Sequence, residues 1–332
     1  MLLSLVLSLC LATGTQADTL SAVDLYGVRT VSEAAVREAV GLRPGDPIPD
    51  PIGPVVDRLQ AIPGVAEADI SLICCTEKGG WMLYVGIREA GTAPLTYRAA
   101  PTGTARLTDD IVAMGLTFDT AWFSAVRRGV TAEDHSHGYA LSSDSAVRAV
   151  QDQFIDVAAQ RMDLLRTVLR RSADAQHRAL AASIVAYGAD RKTIAPDLLH
   201  AVDDPDDGVR NNAVRALWVL GEWANQHPEA AIDIPADAFV EFLNSVSWSD
   251  RNKGVLVLLS LTASRDPAFL SELRLRALPS LVEMARWTNP GHALGSFLIL
   301  ARIAGVEEAK AFEAWQAGDR ETVIAQATAS VH

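Results

Sequence analysis

The sequence predicts a small α+β module, of order β-α-α-β-β, followed by an all-α stacked helical solenoid. Three observations carry this. Beyond about residue 150 apolar residues recur at helical spacing in units of two helices, whereas the stretch before Glu89 alternates short extended runs with short helices. The chain has 332 residues, 49% hydrophobic and 21% charged, enough material for more than one core. A net charge of -12, from 41 acidic and 29 basic residues with no block of Lys and Arg, makes nucleic acid and anionic membrane poor partners.

Met1 to Thr13 is uncharged, and its apolar run from Leu2 to Ala12 is too short to cross a bilayer. With Thr15-Gln16-Ala17 after it, the segment reads as a signal peptide over residues 1–17, cleaved near Ala17, which predicts a secreted or periplasmic protein with no integral membrane span. No Lys or Arg precedes the run. Cys10 follows Leu7-Ser8-Leu9, but Leu9 stands where lipidation needs a small residue.

Residues 18–90 form the module. A first extended run ends at Gly27, and Ser32 is placed to cap a helix through Val36 and Val40. A Pro-rich turn from Arg43 to Pro54 breaks that helix, and a second one, Val55 to Ile62, stops at Pro63-Gly64. Two strands come next, Ala68 to Cys75 and Trp81 to Glu89. Trp81, Leu83, Val85 and Ile87 alternate as in a half-buried hairpin strand. Cys74 and Cys75 are neighbours, so in a regular strand they point to opposite faces; two ordinary thiols are expected, since a bond between them requires a vicinal ring in a turn.

This module resembles the POTRA (polypeptide-transport-associated) domain. The likeness lies in the strand ending at Gly27, the Leu42-Arg43-Pro44-Gly45 turn, the passage Leu59 to Val65 and the closing Arg88-Glu89. The resemblance implies an envelope setting and a sheet edge that can accept a strand from another polypeptide. Sealing the end of the helical array is the other role open to such a cap.

Residues 91–150 are a linker with one helix and one polar loop. A loop runs from Gly91 to Gly103, and Thr108-Asp109-Asp110 caps a helix through Leu116 and Val126. After Gly129 comes Glu133-Asp134-His135-Ser136-His137-Gly138-Tyr139, where His135 and His137 beside two carboxylates have the composition of a metal-binding loop. One short loop supplies too few convergent ligands, so a solvated loop is expected and no metal or cofactor is assigned. A long helix then starts at Ala146 and reaches Arg161.

From residue 151 to 330 the chain repeats a helical pair centred on Ile194 to Trp223. Its first helix, Pro196 to Val202, ends at Asp204-Pro205-Asp206, and its second runs from Val209 to a terminating Gly221. A shift of 33 residues sets His177 on Arg210 and Gly188 on Gly221. A shift of 41 sets Arg251-Asn252-Lys253-Gly254-Val255 on Arg210-Asn211-Asn212-Ala213-Val214. A fourth unit spans Arg274 to Ala304, and two more helices close the array, giving about four helical pairs. The Asp204-Pro205-Asp206 turn with Val209-Arg210, Ala213 and Leu217 is similar to the HEAT-repeat signature of armadillo-like proteins. That resemblance implies that Asp206, Arg210 and Arg251 are structural ladder residues and that the array is a scaffold surface for a protein or peptide partner.

The templates G-x-S-x-G, G-x-x-x-x-G-K-[ST], H-E-x-x-H and G-x-G-x-x-G do not occur, so no catalytic residue is assigned. Trp218, Trp223, Trp248, Trp287 and Trp315 are expected to pack. The sequence thus predicts an exported, non-enzymatic interaction or scaffold protein, at home in an envelope complex, with its partner-binding residues unassigned. The alternative is an envelope enzyme or metal-dependent binder built on the His135 to Tyr139 loop.

Overall fold

The computed structural model describes residues 18–76 and 80–329; the expected signal segment and Cys10 lie outside them. The N-terminal module consists of β1 (Leu20–Tyr26), α1 (Glu33–Val40), α2 (Gly53–Gln60), β2 (Val65–Ile73) and β3 (Trp81–Glu89), in the predicted order. Ser32 caps α1, its hydroxyl accepting from Ala35 N, and Gly41 closes it in the left-handed region. The two helices carry the chain from β1 to β2 at the opposite edge, and β2 turns back antiparallel into β3, which inserts between them parallel to β1, giving the order β1-β3-β2.

The central strand β3 is buried on both faces, not one. Leu83, Val85 and Ile87 pack under Val36, Val40, Val55 and Leu59 of the two helices. Met82 and Tyr84 enter the core of the helical region instead. Tyr84 stacks on Trp248 at 5.2 Å and meets Trp287 at 5.0 Å, and the Tyr26 hydroxyl donates to Val246 O at 2.7 Å. Gly86 sits where any side chain would strike the Val246 carbonyl and the Tyr26 ring. Each large side chain buried in this way contributes about 1.5–3 kcal/mol, which fixes the sheet to the helices. The alternation signal registered one neighbour and missed the second. The Cys74 and Cys75 sulfurs are bonded to each other beyond the end of β2, where the chain has left the strand, so they are not the two thiols expected.

The rest is helical: α3 (Asp109–Arg127), two short paired strands β4 (Glu133–Asp134) and β5 (Leu141–Ser142), then α4 (Ser145–Arg171), α5 (Ala175–Val185), α6 (Arg191–Val202), α7 (Asp207–Gln226), α8 (Asp237–Phe242), α9 (Trp248–Leu261), α10 (Pro267–Ala285), α11 (Pro290–Ile303), α12 (Glu308–Gln316) and α13 (Arg320–Ala329). From α4 onward each even-numbered helix packs on the odd-numbered helix after it. The odd-numbered helices α5, α7, α9, α11 and α13 also touch in sequence order.

Three expected boundaries move. The helix ending near Arg161 continues to Arg171, with Arg161 itself non-helical at φ -132° and ψ 26°. The helix expected at Pro196 begins at Arg191, capped by Asp190, and keeps Pro196 inside. Gly221 does not terminate α7, which runs on to Gln226. It is buried there because a Cβ would come within 2.6 Å of Ser260 Oγ at the far end of α9.

The N-caps set the register between pairs. Asp174, Asp206 and Ser247 precede α5, α7 and α9, and an arginine follows each by four residues: Arg178, Arg210 and Arg251. Arg178, not His177, is therefore the counterpart of Arg210. Each guanidinium donates to carbonyls of its own turn: Arg178 to Ser172 O, Arg210 to Asp204 O, Arg251 to Ser245 O. Each also reaches an acid of the next pair. Arg178 grips Asp204 with two bonds of 2.9 and 2.8 Å, Arg210 grips Asp250 with bonds of 2.8 and 3.0 Å, and Arg251 meets Glu283. Asp206, expected on this ladder, instead caps α7 by accepting from Val209 N.

Removing one member of a buried, fully bonded pair strands the other. Asp250→Ala is expected to lower unfolding free energy by about 3–5 kcal/mol, and Asp206→Ala by only about 1 kcal/mol. Denaturant unfolding of the two variants checks the difference.

Candidate functional site

Residues 91–144, expected as a linker with a helix and a polar loop, lie across the helical array. The segment after β3 runs along the turns in reverse order. Tyr97 donates to Asp250 Oδ2 at 2.9 Å and lies under the Arg210 guanidinium at 3.9 Å, Arg98 pairs with Asp204, and Ala173 N donates to Gly103 O. Leu107 N then donates to His177 Nδ1 at 3.0 Å.

From there α3 turns back over α4 and α5 toward the sheet. Its Phe123 lies 6.2 Å from Trp81, and Arg127 faces Asp18 at 3.7 Å. Between α3 and the odd-numbered helices runs a groove of two adjoining cavities, about 360 and 310 Å³, which share Phe118, Asp119, Phe154, Ser183 and Asn212. The first is walled by apolar groups, among them Val112, Leu116 and Leu180. Polar and aromatic groups line the second: Trp122, Tyr139, Asn211, Arg215 and Lys253.

The polar loop closes the far end. β4 and β5 bring Glu133 onto Arg215 of α7, and the Tyr187 hydroxyl donates to Ala140 O at 3.1 Å. His135 is clamped: its Nδ1 lies 2.7 Å from Glu222 Oε2, its Nε2 is 3.7 Å from Glu133, and its ring abuts Trp218 edge-on at 5.0 Å. Burial works against the imidazolium, but the two carboxylates outweigh it and push the His135 pKa up to about 9. At neutral pH this ring therefore carries a proton on each nitrogen and has no lone pair for a metal. Among the described residues no group of three or more His, Cys, Asp or Glu is placed to hold a metal ion. His137 lies instead against Tyr139 at 5.7 Å, and the Arg191 guanidinium lies over Tyr139 at 4.6 Å. In the loop expected to be solvated, Asp134, Ser136 and His137 are exposed, while Glu133, His135 and Tyr139 are half-buried and paired against α6 and α7.

Two charged groups in the groove have no hydrogen bond or ion pair among the described residues: Asp119 on the exposed side of α3 and the half-buried Lys253 on α9. Burial, then the nearby Arg215, lowers the Lys253 pKa to about 8, with Glu133 opposing. Beyond Lys253, burial and the ammonium hold the pKa of His292 down at about 4, and its neutral ring shares a hydrogen bond with the Tyr84 hydroxyl, Nδ1 to oxygen 2.7 Å. Sequence reasoning did not single out Lys253. The only signal was its place in a repeat that otherwise uses Asn or an apolar residue there.

Comparison with protein-family models gives no match, and comparison with curated proteins gives none either.

The His135 value lies above the ordinary imidazole value of 6.5. Its ion pairs thus stabilise the fold in full below pH 6.5 and lose that contribution as pH rises through about 9. Thermal melts should show wild type and His135→Gln differing most near pH 6 and converging above about pH 9.

Proposed function

We propose that this chain is an exported, non-enzymatic interaction protein whose HEAT-like helical array holds an extended polypeptide segment in the groove beneath α3. The observation that supports this reading is the groove itself. It is lined on one side by successive odd-numbered helices and on the other by α3, and its walls mix apolar, aromatic and amide side chains. Such a surface offers side-chain pockets together with donors and acceptors for a peptide backbone. The ladder arginines are taken up by structure, as the family resemblance implies, and leave the groove as the binding surface. β2 lies at the sheet edge, in keeping with a POTRA-like module that adds a strand from the same partner. Because the opposite face of that sheet is buried on the helical region, the module also seals the array's side.

Binding of extended peptides by fluorescence anisotropy tests this. Ser183→Trp, which fills the junction of the two cavities, is expected to abolish binding, and Leu275→Ser on the exposed side of α10 to leave it unchanged. Loss in Leu275→Ser with retention in Ser183→Trp would overturn the assignment. For export, the full chain expressed in a bacterial host should be recovered from the envelope or medium with a mass lacking residues 1–17. Recovery from the cytoplasm at full mass would refute it.

A further inference from the structure

The groove has a direction. The sixth residue after each N-cap faces it, and along the stack these are Leu180 on α5, Asn212 on α7 and Lys253 on α9. The row passes from hydrocarbon through amide to ammonium. One step further along each helix, the ninth residues Ser183 and Arg215 also line the groove.

We propose that the Lys253 end of the groove is a carboxylate site that takes the C-terminal carboxylate of a bound polypeptide, with the last apolar side chains lying toward Leu180 and Leu116. This rests on the peptide-binding function proposed for the groove and adds which end of the peptide is held, and by what.

Four features of the site carry it. Lys253 has no hydrogen-bond or ion-pair partner among the described residues, although it is half-buried in the lining of a cavity. An ammonium withdrawn from water and left unpaired is unfavourable, and an incoming anion relieves that. The neighbouring charges do not supply the anion. Glu133 is held by Arg215 and His135, Glu222 by His135 and Trp218, and His292 is neutral and engaged by Tyr84. Asp119, on α3 across the groove, makes no ion pair with Lys253. Asn211 and Asn212 line the same cavity as Lys253; Asn211 donates to Asn212 Oδ1 and Asn212 to Ala179 O, and the amide hydrogens and lone pairs left over are what a peptide's last backbone groups can meet.

A terminal carboxylate fits better than a free fatty acid. The polar cavity beside Lys253, about 310 Å³, presents amides, tyrosines and Arg215 along its length, whereas the apolar walls begin only beyond Ser183. An alkyl chain would have to cross the polar stretch, while a peptide backbone would bond to it.

The test uses the full chain and N-terminally labelled hexapeptides ending in two leucines, identical except that one carries a free C-terminal carboxylate and the other an amide. A third has the amide and Asp as its last residue, and octanoate serves as competitor. The free carboxylate is expected to bind about tenfold to a hundredfold more tightly than the amide, as a charge-assisted hydrogen bond implies. Lys253→Met should erase that preference and Lys253→Arg keep most of it. Because Lys253 makes no hydrogen bond or ion pair with the other described residues, Lys253→Met should melt no lower than wild type. Binding of the free-carboxylate peptide should weaken as pH rises through about 8, where Lys253 discharges, and not in Lys253→Arg.

Equal binding of acid and amide, both blocked by Ser183→Trp, would overturn the carboxylate site and leave the peptide groove standing. No binding of any peptide would remove both. Preference for the Asp-amide peptide would move the anion to a side chain, and displacement by octanoate at lower concentration than by free-carboxylate peptide would make the ligand a lipid; either result refutes the terminal-carboxylate assignment.

Discussion

The structure depends on the guanidiniums at the fourth position of α5, α7 and α9. Each satisfies the carbonyls of its own turn, which a helix hairpin leaves without partners, and each binds an acid that belongs to the next pair. The arginine position is fixed by the cap, whereas the acid comes from different places: the turn before α7, the first turn of α9, the body of α10. One side chain therefore sets both the turn geometry and the spacing of the stack. Since these ions are buried, their value lies in specifying register more than in net stability, which hydrophobic contact between the odd-numbered helices supplies.

The same constraint explains what could be read from the sequence. The order of the N-terminal elements, the Ser32 cap and the helical pairs follow from local periodicity and capping chemistry, and the structural role of Arg210 and Arg251 was what the HEAT-like resemblance implied; these are where the reading and the structure agree. Asp204 and Asp250 were missed as ladder acids because their partners lie 26 and 40 residues away, and no local pattern marks a contact of that range. The one-residue error that placed His177 on Arg210 came from aligning apolar residues instead of caps. Gly221 carried the usual mark of a helix end, but a close approach to Ser260 needs the same residue.

Legibility was poorest from residue 91 to 144, where the site lies. Glycines, prolines and polar residues there describe a loop correctly, yet its partners are far along the chain: Asp250 for Tyr97, Asp204 for Arg98, Glu222 for His135. A sequence rich in turn formers says that a segment lacks its own core, not whether it borrows another's. Lys253 was hidden for the opposite reason. It sits in a regular helix whose pattern is explained by packing, and only the absence of any partner among the described residues sets it apart from the arginines around it.

The segment from Pro94 to Leu107 lies across the turns of three successive pairs and bonds to each. In a simple helical stack a unit touches only its neighbours, and the ends fray while the middle persists. Here one stretch of backbone, continuous with β3, bonds to the turns that open α5, α7 and α9, so separating any of these three pairs from the next strips polar contacts from the strap as well as from the stack. Those three helices are the ones that line the groove, and its wall is thereby held by a tether that a plain helical stack lacks.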